Sequence, residues 1–356
     1  MYTYKIFDSV TKECEEIFNT KEVKFDSTFF QHIEYIKEIT KYNKSNLKII
    51  VIYHDNLIIS ILPFEIKKYF FIKVLQWIGT KYSDYCNPIL SKSLQSKINK
   101  KYFLVTWNSI LNDIKNDFDL VFLNNQLALI NDQPNPFVDY FKTLKFSTVY
   151  NINFESDFND YKEKIKIKNK EHAYEIHRTM IKYEKLKETS KNLEIVIQDS
   201  YHDLIDFNKI AEEKKDQLKK KKINNKLDYS FIRAFKNLIQ LKKTKFYVIS
   251  LNIEGKPLSR CFGFVFNDTF YYYIPIVLSN SFDNYKPGKI LIIQIIKWCI
   301  KNNITKFDFG LGGEKYKKYF SNKEISLHRY LEAFSLKGSI IYFLMLLIFK
   351  IKKLWL

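Results

Sequence analysis

Four side chains able to handle protons or hold a polar substrate crowd into one stretch: Asp308, Glu314, Tyr316 and Lys317, within Lys306-Phe307-Asp308-Phe309-Gly310-Leu311-Gly312-Gly313-Glu314-Lys315-Tyr316-Lys317. Three of the chain's 8 glycines lie between the two acids. Glycine lets a backbone bend sharply or approach a ligand closely. The pattern reads as a short strand that breaks at a glycine corner and enters a helix, a place where α/β folds put chemistry. If Phe307 and Phe309 face a core, Asp308 points to the other side of the strand. There it would serve as a general base or as an acceptor that orients substrate. Glu314 is the second candidate catalytic acid, and Tyr316 and Lys317 suit an anionic or sugar-like substrate. A blander reading competes: Asp308 caps the following turn, and Glu314 sits where a helix's first turn tolerates an acid.

A second junction, Tyr285-Lys286-Pro287-Gly288-Lys289-Ile290, precedes an apolar helix. The free N–H groups of a first helical turn and the helix dipole favour an anion, and Lys286 and Lys289 add charge. A pyrophosphate would suit the site. Pro-Gly before a helix is also an ordinary start signal. The histidines are scattered, and His172 and His177 miss the i, i+4 spacing of a helical pair. Cys14, Cys86, Cys261 and Cys299 form no C-x-x-C. No metal is expected, and the thiols read as reduced.

These residues must be held by strands and helices. Apolar alternation with a period of two predicts strands over 245–251, 257–266 and 269–277, with turns at Glu254-Gly255 and Asn267-Asp268. A buried helix follows over 289–301, a strand over 306–310, and a last strand near 326–334. The first half repeats this order: strands over 47–53, 57–64 and 74–78, a helical stretch near 94–114, then Phe118-Asp119. Asp84-Tyr85 with Pro88 parallels Asn284-Tyr285 with Pro287, and Phe118-Asp119 parallels Phe307-Asp308, without glycines after Asp119. The expected class is therefore α/β (α+β), two copies of one unit with mixed sheets flanked by helices. The boundaries read as an N-terminal domain over 1–155, degenerate in chemistry; a charged helical connector over 156–195; a catalytic domain over 196–336; and an apolar, basic tail over 337–356.

The formal net charge of +19 invites a nucleic-acid or membrane partner. Yet Arg178, Arg233, Arg260 and Arg329 are the only arginines, whereas surfaces that read phosphates or bases favour arginine's bidentate fork. DNA is not an expected partner. Residues 340–349 form an unbroken apolar run followed by Lys350, Lys352, Lys353 and Trp355. Ten helical residues reach about 15 Å, half of a bilayer core. The run therefore either lies on a membrane surface or packs on the protein. Met1-Tyr2-Thr3-Tyr4-Lys5 lacks the apolar core of a leader. The expected location is the cytoplasm, peripheral on the inner face of the membrane if the tail binds lipid.

Tyr285-x-Pro287-Gly288-x-x-Leu291, followed by Phe307-Asp308-Phe309-Gly310-x-Gly312-x-Glu314-x-Tyr316-Lys317-x-x-Phe320, resembles the C-terminal signature of GNAT-superfamily acyltransferases of the CelD/BcsL type, relatives of the FemAB transferases. Leu62-Pro63-Phe64-Glu65, Ile78-Gly79-Thr80 and Ser83-Asp84-Tyr85 resemble that family's first half. The resemblance implies tandem GNAT-like domains and acyl transfer from acetyl-CoA or another acyl-CoA. The implied acceptor is a sugar-nucleotide, lipid-linked sugar or amino sugar in polysaccharide biosynthesis. It implies that Lys286, Gly288, Lys289 and Ile290 take the pyrophosphate and that Tyr285 lies near substrate. The glycine-rich loop of ordinary GNAT enzymes is reduced to Gly288, so a FemAB-like aminoacyl transfer from charged tRNA stays open. A basic scaffold without catalysis is the third alternative.

Overall fold

The computed structural model describes residues 2–20, 25–42, 45–92, 98–223, 227–278 and 281–354. The chain divides into two compact units: residues 1–147 with 326–356, and residues 148–325.

In the first unit, β1 (Thr3–Phe7) pairs antiparallel with β2 (Asn46–His54), β2 with β3 (Leu57–Tyr69), and β3 with β4 (Ile72–Trp77). Asp55 and Asn56 turn the β2–β3 hairpin at φ 48° and 65°, the left-handed pair that a two-residue hairpin demands. Helix α1 (Lys100–Ile114) is capped by the Asn99 side chain, which accepts from the Tyr102 N–H at 3.2 Å. It leads into β5 (Leu120–Leu127), which lies parallel to β4 with Val74 opposite Leu120. Phe64 stacks on Trp77 at 4.4 Å within the core, where Trp107 and Phe137 meet them. Residues 94–97, expected at the start of α1, fall outside the described set.

Strand β6 (Leu144–Asn153) leads into the second unit. The charged stretch expected as a connector is two helices, α2 (Phe158–Lys168) and α3 (Lys170–Thr189). Their buried residues Tyr161, Ile165 and Ile176 belong to this unit's own core. Asn169 breaks them apart and caps the second, accepting from Glu171 and His172 N–H groups. Strand β7 (Leu193–Asp199) and helices α4 (Phe207–Lys220) and α5 (Tyr229–Leu241) follow. Then comes the predicted meander: β8 (Lys245–Ile253), β9 (Lys256–Phe266) and β10 (Thr269–Val277), with β7 antiparallel to β8. Helix α6 (Pro287–Lys301) buries Ile290, Leu291, Ile292, Ile293, Ile295 and Ile296. Its polar positions Gln294, Lys297 and Lys301 stay accessible, with Trp298 and Ile300 partly so. Strand β11 (Lys306–Asp308) then lies parallel to β10, with Tyr271 opposite Asp308. Residues 306–308 also pair antiparallel with 151–153 of β6. Lys219 and Lys220 lie in the last turn of α4, where cations complement the helix dipole.

Both units therefore have the repeated order of meander, helix and parallel strand. The closing strands differ from expectation. After the short helix α7 (Lys315–Phe320) comes β12 (Lys323–Ala333), which was expected to end the second domain. It pairs antiparallel with β5 of the first unit, Leu327 opposite Leu127 and Ala333 opposite Leu120. The compact units divide at 147 and 325 where 155 and 336 were expected, because ladder hydrogen bonds and not chain order decide which strands pair. The terminal helix α8 (Leu336–Leu354) follows β12 and packs its Ile341, Tyr342 and Met345 on Ile72, Val74 and Leu120. No helix among the described residues is long and apolar enough to cross a membrane. Trp355 lies outside the described set.

Candidate active site

Strands β10 and β11 pair over three residues only, Thr269–Tyr271 with Lys306–Asp308. Beyond Tyr271, β10 runs on to Val277 with no strand on that side among the described residues. Strand β11 stops because Gly310 and Gly312 turn the chain away at φ 68° and 124°, conformations that residues with a Cβ seldom adopt. A cavity of about 380 Å³ opens beside this free edge, built wholly from the second unit. Tyr272, Pro275 and Val277 of β10 line it, with Pro287, Gly288 and Lys289 at the start of α6, Glu314 and Tyr316 from the corner, Lys214 from the middle of α4 and Lys221 just past its end.

Asp308 is buried, and the flanking Phe307 and Phe309 face the core as the alternation required. Its carboxylate accepts the Gly310 N–H at 2.7 Å and lies 3.4 Å from the Asn151 amide nitrogen. It holds the bend and is not among the residues lining the cavity. Lys317 is also drawn inward: its side chain is 4 % exposed, and its ammonium donates to the Leu311 carbonyl at 2.8 Å and pairs with Glu314 at 2.9 Å. Both residues, expected at the reacting centre and on substrate, are placed as fasteners of the corner. The partner carboxylate of Glu314 is exposed at the cavity wall. Glu314 occupies the N-cap position of α7, yet its side chain makes no capping bond.

Tyr316 lines the cavity, and its hydroxyl has no protein partner among the described residues. Burial, then the nearby charge of Glu314, pushes its phenol far above the ordinary value, so it keeps its proton. Tyr272, fully buried, is pushed up by burial in the same way.

At the start of α6, Lys286 is the N-cap in a left-handed conformation, φ 58°. Pro287 has no N–H. The Lys289 and Ile290 N–H groups already donate to the Lys286 carbonyl at 2.9 and 3.2 Å. Of the first turn, the Gly288 N–H is the donor left over among the described residues. A Cβ on Gly288 would come within 3.1 Å of the Val277 side chain, so glycine keeps this end of the cavity open. Lys289 is committed to Glu175 on α3, which also pairs with Arg178 at 2.6 Å. Lys286 is exposed. Ile290 is buried in the core, and Tyr285 packs with Phe282 near Thr189; neither lines the cavity. The mouth is nonetheless cationic. Lys182, near Arg178 and Lys286, has its pKa lowered by burial and then by those charges.

Lys214 was not foreseen. Its ammonium donates to the Pro275 carbonyl at 2.6 Å and to the Gln217 side chain at 3.1 Å. Burial, then the charge of Lys221, brings its pKa down to about 8. The signal was present in α4: Phe207, Ile210 and Ala211 are its buried stripe, and Lys214 continues that stripe one turn on. A lysine there must either find partners or lose its proton. No cluster of potential metal ligands occurs among the described residues.

Residues 172–318 match the family model of the acetyltransferase (GNAT) domain, a span that contains the whole cavity lining. In three dimensions the chain is similar to the crystal structure of FemX, at 9% identity, over 91% of this chain and 96% of that one, with a TM-score of 0.55. It is also similar to the structure of L-PGS from Bacillus licheniformis, at 10% identity over 98% of each chain, with a TM-score of 0.50. At these identities the likeness is one of fold. No curated protein matches the sequence. The matched segment, residues 172–318, carries the GNAT acetyltransferase domain and supports an acyltransferase activity. Such a domain implies an acyl-CoA donor.

Proposed function

We propose that the chain moves an acyl group, acetyl in the simplest case, from acyl-CoA to an amine or hydroxyl of a sugar-nucleotide or lipid-linked sugar used in cell-envelope polysaccharide synthesis. The acceptor class follows from the CelD/BcsL resemblance of the corner and junction motifs. The observation that carries the reading is the cavity where a free strand edge, the leftover Gly288 N–H and several lysines converge. The edge offers backbone partners to an extended amide-bearing arm, and the lysines and helix end offer charge to a pyrophosphate. In the reaction the acceptor's nitrogen or oxygen forms a bond to the thioester carbonyl carbon, the C–S bond breaks, and the acceptor loses a proton while the departing thiolate gains one. Tyr316, held protonated, is the donor to the thiolate. Glu314 and the neutral fraction of Lys214 are the acceptors at the same wall.

Acetyl-CoA should raise the thermal midpoint of the full chain, and Gly288→Val, which fills the mouth, should abolish that rise. Equal stabilisation of both proteins would refute the reading. Mass spectrometry of the purified protein should find an acyl-CoA carried along. A second reading, aminoacyl transfer from charged tRNA, is favoured by the single leftover N–H on α6 and the net charge of +19. Salt-sensitive tRNA binding without acetyl-CoA binding would establish it in place of the first.

A further inference from the structure

Two apolar surfaces of the first unit lie exposed beside one another. Helix α8 packs Ile341, Tyr342 and Met345 inward. Its opposite side, Leu336, Ile340, Phe343, Leu344, Leu347 and Ile348, is 50% exposed or more at every position. The spacing i, i+4, i+7, i+8, i+11, i+12 is one continuous helical stripe. The second surface is the tip of the β3–β4 hairpin, where Phe70 is 95% and Phe71 64% exposed. Phe70 sits at φ 53°, a conformation in which glycine or asparagine is ordinary and a bulky residue is uncommon. A hairpin that needed only to turn would not place phenylalanine there.

One carboxylate ties the two surfaces together. Asp119 accepts the Lys73 N–H at 2.9 Å, just past the hairpin tip, and the Ser335 hydroxyl at 2.7 Å, just before α8. Gly338 lets the helix close on β5, since a Cβ there would meet the Asp119 carbonyl at 2.0 Å. The tip and the start of the helix stripe are therefore neighbours on a braced frame.

Within the two segments the formal charge has one sign. Residues 67–73 are Lys-Lys-Tyr-Phe-Phe-Ile-Lys, and residues 336–354 hold Lys337, Lys350, Lys352 and Lys353; neither segment contains an acid. Exposed apolar residues beside the exposed Lys68, Lys73, Lys337 and Lys350 match the cross-section of a leaflet, with acyl chains inside and anionic headgroups outside. We infer that the first unit docks on an anionic lipid bilayer, the Phe70-Phe71 tip and the outer stripe of α8 entering the interface together. The inference stands on the first unit alone and does not depend on the donor bound by the second.

The test is co-sedimentation of the full chain with vesicles rich in phosphatidylglycerol and with vesicles of pure phosphatidylcholine. The parent should pellet with the first and not with the second, and added salt should release it. Phe70→Asn/Phe71→Ser, which suits the turn and leaves the fold intact, should weaken partitioning roughly tenfold or more. Leu344→Glu/Leu347→Glu should do the same. Acetyl-CoA stabilisation should be unchanged in the hairpin variant, which separates failure here from failure of the acyl-transfer reading. Parent-like pelleting of the hairpin variant, binding to neither vesicle, or a dimer in light scattering that the helix variant dissolves would each overturn the inference.

Discussion

Replacing Lys214 by methionine tests the cavity through a quantity that packing alone does not produce. The free lysine value is 10.5 and the folded value about 8. Between them the unfolded chain holds a proton at this site that the folded chain has released. Stability contributed by this residue therefore rises with pH through that window. At about 1.4 kcal/mol per pH unit, the rise from pH 8 to 9.5 is ~2 kcal/mol. The four buried thiols work in the opposite direction, since burial pushes Cys14 up to about 11 and Cys86 to about 12. They are common to both proteins, so the difference between parent and variant isolates Lys214. At neutral pH the variant loses the bonds to Pro275 and Gln217 and sheds the cost of a buried charge, opposing effects of a few kcal/mol each. Its net stability there should change little. Urea midpoints of parent and Lys214→Met, measured at pH 7, 8 and 9.5, give the result. The parent should gain ~2 kcal/mol on the variant between the last two. Parallel curves would refute the depressed value and remove Lys214 as a proton acceptor.

Gly312→Ala should cost about 1–3 kcal/mol, because φ 124° belongs to glycine and the new Cβ would meet the Glu314 carboxylate at 2.4 Å. An unchanged urea midpoint would show that the corner relaxes freely. Lys317→Met should lower stability by about 1–3 kcal/mol by leaving the Leu311 carbonyl without its partner. It should spare acetyl-CoA binding, measured calorimetrically, if the ammonium serves the corner alone. Arg329 lies 3.7 Å over the Phe146 ring and 4.3 Å over the Phe349 ring, clamping the far end of α8. Arg329→Ala should expose the end of α8 to limited proteolysis, and an unaltered cleavage pattern would argue against the clamp.

The sequence made the strands of the two meanders readable for a simple reason. Asp55-Asn56, Glu254-Gly255 and Asn267-Asp268 supply left-handed backbone at three of the four hairpins, and the apolar alternation on either side fixes register. The buried face of α6 was equally legible from its nearly unbroken isoleucines. Less was legible at the corner. Asp308 and Lys317 have residue types that can react, and only their partners, Gly310 and Leu311, reveal that both are engaged within the backbone's own turn. Lys214 escaped notice because a lysine on an apolar stripe counts as a blemish until the cavity beside it is seen. The pairing of β12 with β5 was invisible, since strands of similar composition carry no label for the neighbour they will pair with. The parallel between Asp119 and Asp308 holds in a way that motif reading did not reach. Each carboxylate braces backbone by accepting hydrogen bonds, Asp119 from the Lys73 N–H and the Ser335 hydroxyl and Asp308 from the Gly310 N–H, and only the second stands near a cavity lined by Glu314 and Tyr316.

The exchange of closing strands also orders events during synthesis. Residues 148–325 are a continuous segment inserted between the parts of the first unit. On a ribosome, the acyltransferase segment can emerge and fold whole while the first unit still lacks β12, leaving β5 with an unpaired edge. The scaffold that begins earliest is thus completed last, and its open edge is the nascent chain's period of greatest exposure to mispairing. A stall or truncation before residue 326 would leave that edge permanently uncovered, so shortened products should aggregate through the first unit even where the second is intact.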